Sequence, residues 1–175
     1  MSSHGVIQIG EITSKLTWLM TPIGLLIDEV NLQGGPLDID TDDLDKSHGK
    51  LSFEAIIRNQ SVAVFLEKLQ PGGLTNFQVS IQPTGLHIQA VKTVIVPIPA
   101  TAHAILKLDS PEEISVELVS AEALGAGLKN MVANQIAQIN PIVKSDMFPI
   151  PVRFKEVIHG DGQVTVIGEG DLSAT

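Results

Sequence analysis

The side chains able to do chemistry in this sequence are few and scattered. Five aspartates, Asp38, Asp40, Asp42, Asp43 and Asp45, crowd the segment LDIDTDDLD. An EF-hand calcium loop needs acids at its first, third and fifth positions, Gly at the sixth and a bidentate Glu at the twelfth. Counted from Asp38, the first three fit, but Asp43 stands where Gly belongs and Gly49 where Glu belongs. The segment reads as a solvated acidic loop or strand edge. Five histidines, His4, His48, His87, His103 and His159, make no HxH or HxxxH pair. His87 and His103 fall on predicted strands and can meet across a sheet, yet a metal needs a further ligand. His159 with Asp161 suits a turn. There is no G-x-S-x-G elbow. Gly34-Gly35 and Gly72-Gly73 do not open a helix after a strand as a phosphate loop does. No catalytic residue, metal site or cofactor is assigned, and binding is the stronger class of function.

Composition narrows the partners. A net charge of −9 over 175 residues opposes nucleic acid, because phosphate binding needs clustered Lys and Arg. It also opposes strong attraction to anionic membrane surfaces. Hydrophobic residues make up 43% but aromatic ones only 3%, with no Tyr, which argues against a base-stacking surface, a carbohydrate platform or an aromatic cage. No cysteine is present, so there is no disulfide framework or thiolate site. The apolar run Leu16 to Ile27 is broken by Pro22 and Gly24 and is too short to span a bilayer. No secretory signal is evident, which points to a cytoplasmic or membrane-peripheral chain unless a targeting segment has been lost.

The length suggests one domain, residues 1–175. Antiparallel strands dominate the expected elements. Val6 to Ile9 and Gly24 to Leu32 read as strands, with Leu16 to Met20 as a helical turn between them. Gly34-Gly35-Pro36 is a turn, and Lys50 to Arg58 a strand. Asn59 or Ser61 caps a helix whose stripe is Val62, Phe65, Leu66 and Leu69, stopped by Pro71-Gly72-Gly73. The period then becomes two. Five strands follow, near Phe77–Gln82, Leu86–Ala90, Thr93–Ile98, Thr101–Leu108 and Ile114–Leu118. A last hairpin joins Val152–Ile158 to Gln163–Ile167 through His159-Gly160-Asp161-Gly162. Strands with two inserted helices make an α+β chain rather than a βαβ series.

The central element is Ala121 to Val143, AEALGAGLKNMVANQIAQINPIV, expected as one long helix that Pro141 ends or kinks. At about 100° per residue, Leu128, Met131, Val132, Ile136 and Ile139 share an arc. Asn130, Ala133, Asn134 and Ala137 lie opposite, and Gln135 sits inside the apolar arc. Lys129 is the only charge in the stretch, whereas an ordinary surface helix carries several. Such a helix is enclosed by protein or by something apolar that is not protein. The two apolar stripes are either plain core, each side chain contributing about 1.5–3 kcal/mol, or the walls of an aliphatic groove.

The order of elements carries a resemblance. KLSFEAII leads into SVAVFLEKL, then a Pro-Gly-Gly turn and the hairpin FQVSIQPTGLHIQ. VPIPATAHAILKL follows, then ISVELVSAEALG, a helix ending INP, a loop with FPIPV and a hairpin with GDGQVTVIGEG. Over about residues 50–170 this resembles the LmeA-type phospholipid-binding family of bacteria, similar in fold to the tubular lipid-binding (TULIP) proteins. LTWLMTPIGLLIDEV is similar to the segment that opens those domains. The resemblance implies a long curved antiparallel sheet wrapped around the Ala121–Val143 helix, with a second short amphipathic helix and an acyl-chain channel between helix and sheet. Its lining would be Val62, Phe65, Leu66, Leu69, Leu128, Met131, Val132, Ile136, Ile139, Phe148 and Phe154, with Met147 also adapting to variable chains. Lys129, Lys144 or Arg153 would meet a headgroup. The expected function is non-enzymatic lipid binding or transfer. The partners are lipid acyl chains and a peripheral membrane contact. The rival expectation is an assembly protein whose apolar surface joins two copies into a homodimer.

Overall fold

Antiparallel pairing builds most of the molecule. The computed structural model describes residues 5–43, 46–123, 127–148 and 150–172. Its strands are β1 (Val6–Ile9), β2 (Ile12–Met20), β3 (Leu26–Gly34), β4 (Leu37–Asp40) and β5 (Lys50–Arg58). Helix α1 (Asn59–Leu69) precedes β6 (Leu74–Gln82), β7 (Gly85–Thr93), β8 (Pro97–Ser110) and β9 (Glu113–Ala123). Helix α2 (Leu128–Ile139) is followed by β10 (Val143–Lys144), β11 (Val152–His159) and β12 (Gln163–Asp171). One five-stranded sheet has the order β10-β9-β8-β7-β6, a second β11-β12-β5-β3-β2, and β1 pairs with β4. The class is mixed α+β, a curled antiparallel half-barrel with two helices. No helix among the described residues is long and apolar enough to cross a membrane.

The two sheets share one core. Val30, Ala55, Val164 and Phe154 from the β2–β12 sheet pack with Ile81, Leu86, Leu106 and Ile114 from the β6–β10 sheet, and Val62 of α1 joins them. Alternation explains the sorting: in β12 the residues Val164, Val166, Gly168 and Gly170 are buried while their neighbours are half-exposed, the period-2 pattern of a strand with one covered face. Helix α1 packs on β6 and touches β3 and β5, while β11 packs against β8.

Several expectations are corrected. Leu16 to Met20 is not a helical turn but the end of β2, whose ladder with β3 runs from Ile12↔Gly34 to Met20↔Leu26. A short apolar run suits either state, and pairing with β3 decides it. Trp18 sits at φ 62, and the ladder is interrupted there without a change of register, from Thr17↔Glu29 to Leu19↔Ile27. Thr93–Ile98 is not a separate strand: Thr93 ends β7, residues 94–96 form a tip, and Pro97 opens β8, paired to Thr93. β6 to β9 are therefore four strands where five were expected. Neither Asn59 nor Ser61 caps α1. Arg58 holds the cap position with no side-chain bond, and Asn59 Oδ1 instead accepts the backbone N–H of Ile81 at 2.8 Å.

The long helix is also shorter than expected. Ala121 to Ala123 belong to β9, paired with Ala102 to Ala100 of β8. Gly127, at φ 115, precedes the helix, Asn140 caps its end, and Val143 lies in β10. The alanines of AEALGAGL favour a helix locally, but the β8 ladder holds Ala121 and Ala123 in the sheet. α2 packs against β9 and the turn Pro71–Gly73.

Candidate functional site: an apolar cavity

Alanines make the room. On β7 and β8 the cross-strand pairs are Leu86↔Ala104, Ile88↔Ala102 and Ala90↔Ala100. On the other side of β8, Ala102 faces Ala121 and Ala104 faces Leu118. Where Leu or Val would fill the space between sheet and helices, methyl groups leave a hollow. The hollow is walled by Val62, Phe65, Leu66 and Leu69 of α1 and Val132, Ile136 and Ile139 of α2. Leu74 and Phe77 of β6 complete it with these alanines. The cavity is partly enclosed, with a volume of ≈ 90 Å³ open to the centre of a water-sized sphere. One enclosed water needs about 10–15 Å³ in that measure. No polar atom shows on the wall, and an apolar hollow of this kind stays dry or takes hydrocarbon.

The helices are held over the hollow by polar contacts from the end of α1, from Gln135 within α2 and from Asn140 after it. Gln70 closes α1 in the left-handed region and donates its N–H to Leu66 O at 2.8 Å. Gly72 then donates its N–H to Gln135 Oε1 of α2, and Lys92 Nζ donates to Gly72 O. Gln135, the odd polar residue of the apolar arc, is thus a strut from α2 to the turn after α1. Just past the end of α2, Asn140 Oδ1 accepts the N–H of Val116 at 2.9 Å while its Nδ2 donates to Val116 O at 2.7 Å. That side chain acts as a one-residue strand against β9, and Ile136 and Ile139 between the two struts line the cavity.

Of the eleven residues expected to line a channel, seven do: Val62, Phe65, Leu66, Leu69, Val132, Ile136 and Ile139. Met131 does not. It is 47% exposed, because it lies on the outer flank of α2 rather than over β9. Phe148 and Phe154 do not line it either. They pack edge-on with centroids 6.2 Å apart, and Phe154 stacks likewise on Phe53, inside the shared core. The side chain of Leu128 lies outside the described residues. The headgroup candidates are dispersed. Lys129 stands in the first turn of α2 and Lys144 beyond its end, separated by the helix length of about 18 Å. Arg153 is on β11.

The wall residues that sequence reasoning did not assign to the site come from the sheet, above all Ala90, Ala100, Ala102, Ala104 and Ala121. The alternation of Ala100-Thr101-Ala102-His103-Ala104 was their signal: three small residues on one face of a strand leave that face hollow.

Titratable groups gather elsewhere. His87 and His103 do meet across β7 and β8, stacked at 4.5 Å. His87 Nε2 is 2.8 Å from the Thr84 hydroxyl, and His103 Nε2 donates to Thr84 O at 2.7 Å. His159 Nε2 accepts the N–H of Leu106 at 3.1 Å. Its pKa is lowered from the ordinary value, chiefly by burial and then by the charge of His103. Asp40 Oδ1 accepts the N–H groups of Asp42 and Asp43, Asp43 pairs with Lys46 at 3.1 Å, and Asp42 Oδ2 accepts the N–H of Gly5 at 3.3 Å. Asp45 and His4 lie outside the described residues. Among the described residues no three His, Cys, Asp or Glu side chains are grouped to hold a metal ion.

No protein-family model, no curated protein and no solved structure matches the chain.

Proposed function

We propose that the chain binds or transfers lipid without catalysing a reaction, seating phospholipid acyl chains in the cavity between α1, α2 and the β6–β9 strands. The observation that carries this reading is the cavity itself: room beside two helices, with no polar atom on its wall. An acyl tail needs no hydrogen-bond partner and gains about 0.8 kcal/mol per buried CH₂, so such a wall suits it and little else. The element order supports the same reading through its likeness to LmeA-type and tubular lipid-binding proteins. In that likeness the curled strands and α2 stand for the sheet and helix that enclose an elongated channel. The test is native mass spectrometry of the purified protein followed by organic extraction. Co-purified phospholipid is the expected result. Ala102→Phe, which fills the hollow, and Ile136→Asp, which puts a charge in its wall, should each abolish retention, with circular dichroism confirming the fold. Retention unchanged in folded Ala102→Phe would defeat the proposal.

A second reading has its own observation. β2 is an edge strand of its sheet, and Leu16, Trp18, Leu19 and Met20 on it are all exposed. An apolar open edge is a template for pairing with another chain, which suits a homodimer with no ligand. A lipid-free dimer in the same spectra would favour it.

A further inference from the structure

The β7–β8 hairpin ends in an apolar tip that contributes nothing to the core. Val94, Ile95 and Val96 are 69%, 93% and 61% exposed. The tip continues the ladder that forms the cavity wall. Beyond the wall pair Ala90↔Ala100 come Val91↔Pro99, Lys92↔Ile98 and Thr93↔Pro97, which carry the tip about 10 Å outward. The alanine-rich part of the wall, where Ala100 and Ala102 also face Ala123 and Ala121, is the part nearest this tip along the ladder.

Charge separates this end from the rest. The chain carries 20 acids, yet positions 68–108 contain none, so β6, β7, their hairpins and most of β8 have no carboxylate. Lys92, two pairs from the tip, is bound to the Gly72 carbonyl in the turn that follows α1, and Lys68 stands in the last turn of that helix. Across β8, Glu122 of β9 faces Thr101, and Glu67 of α1 is engaged with the N–H groups of Asn76 and Phe77.

We propose that Val94–Val96 is the point at which this protein seats on a lipid bilayer, dipping into its hydrocarbon and bringing the alanine end of the cavity to the membrane. The proposal rests on the acyl-chain reading of the cavity. Branched aliphatic side chains enter hydrocarbon without leaving a polar group unpaired. An acid-free hairpin with two flanking lysines meets headgroup phosphates without the repulsion that a net charge of −9 imposes elsewhere.

The experiment is flotation of the full chain with phosphatidylcholine vesicles, and with the same vesicles containing phosphatidylglycerol. In parallel, uptake of a fluorescent fatty acid is measured without vesicles. The wild-type chain is expected to float. Ile95→Asp, at an exposed position, should weaken partitioning by at least about tenfold and leave uptake unchanged. In a Trp18→Phe, Ile95→Trp chain, the single indole should shift to the blue when vesicles are added. Wild-type protein that takes up the probe yet never floats overturns the membrane tip and leaves the cavity reading intact. Flotation lost with Ile95→Asp in a chain that takes up no probe supports the tip and overturns the cavity reading. Flotation that survives Ile95→Asp but is lost with Trp18→Ser overturns the tip in favour of β2. Dimers that depend on Ile95, with no flotation, also overturn it.

Discussion

A single imidazole reports on how the two sheets are joined. His159, at the end of β11, accepts the N–H of Leu106 on β8, and it can do so only while Nε2 is unprotonated. Burial and the neighbouring His103 lower its pKa from the ordinary value of 6.5. The sign follows from linkage. As pH falls through 6.5 the unfolded chain takes up this proton before the folded one does, so stability is full above that pH and is lost as pH drops towards the lowered value. We expect the midpoint of denaturant unfolding to fall between about pH 7 and pH 5. His159→Gln keeps an acceptor near Leu106 and removes the titration, so it should flatten this part of the profile. An unchanged slope in that variant would assign the pH dependence to other groups. The pair His87 and His103 was legible as strand residues that can meet, whereas the link from His159 to β8 was not: it joins positions 53 apart in the chain, and no local pattern signals it.

At the scale of elements, Asn140 shows how a helix end is fixed by a side chain rather than by propensity. Its amide satisfies both backbone groups of Val116 on an edge of β9 that the two-residue β10 does not reach. Asn140→Ala should cost about 1–3 kcal/mol, because it leaves a part-buried donor and acceptor without their partner. Urea unfolding measures the loss, and hydrogen exchange should localise it to α2 and β9. A wild-type stability would show that water replaces the amide at no cost. The Asn-Pro pair was readable only as a stop. The stripe of α1, the Val132, Ile136 and Ile139 part of the α2 stripe and the strand Lys50–Arg58 were readable because each rests on a local period. The limits of α2 were not, because residues such as Ala121 to Ala123 take strand geometry only when β8 supplies their hydrogen bonds.

For the whole molecule, the proposed ligand becomes a term in stability. A ligand at about a hundred times its Kd stabilises the native state by about 2.7 kcal/mol, which for a chain of this length is a rise in Tm of roughly 5–11 °C. A long-chain fatty acid added to delipidated protein should produce that rise, and Ala102→Phe should abolish it. A Tm that depends on protein concentration and ignores the fatty acid would instead favour the β2 edge as a dimer contact.

The amino-acid order settles the class of the chain, the positions of most strands, the apolar stripe of α1 and part of that of α2. These follow from period, proline and glycine, which act within a few residues. It also determined the acid-free hairpins, since charge is a property of composition. Packing between distant elements set the rest: three alanines of β8 share a hollow with Phe65 and Ile136, Phe148 and Phe154 fill the core instead of that hollow, and Met131 turns outward. A hollow is a difference between the volume that neighbouring elements enclose and the volume their side chains fill. Neither quantity exists until strands far apart in the chain have been brought together.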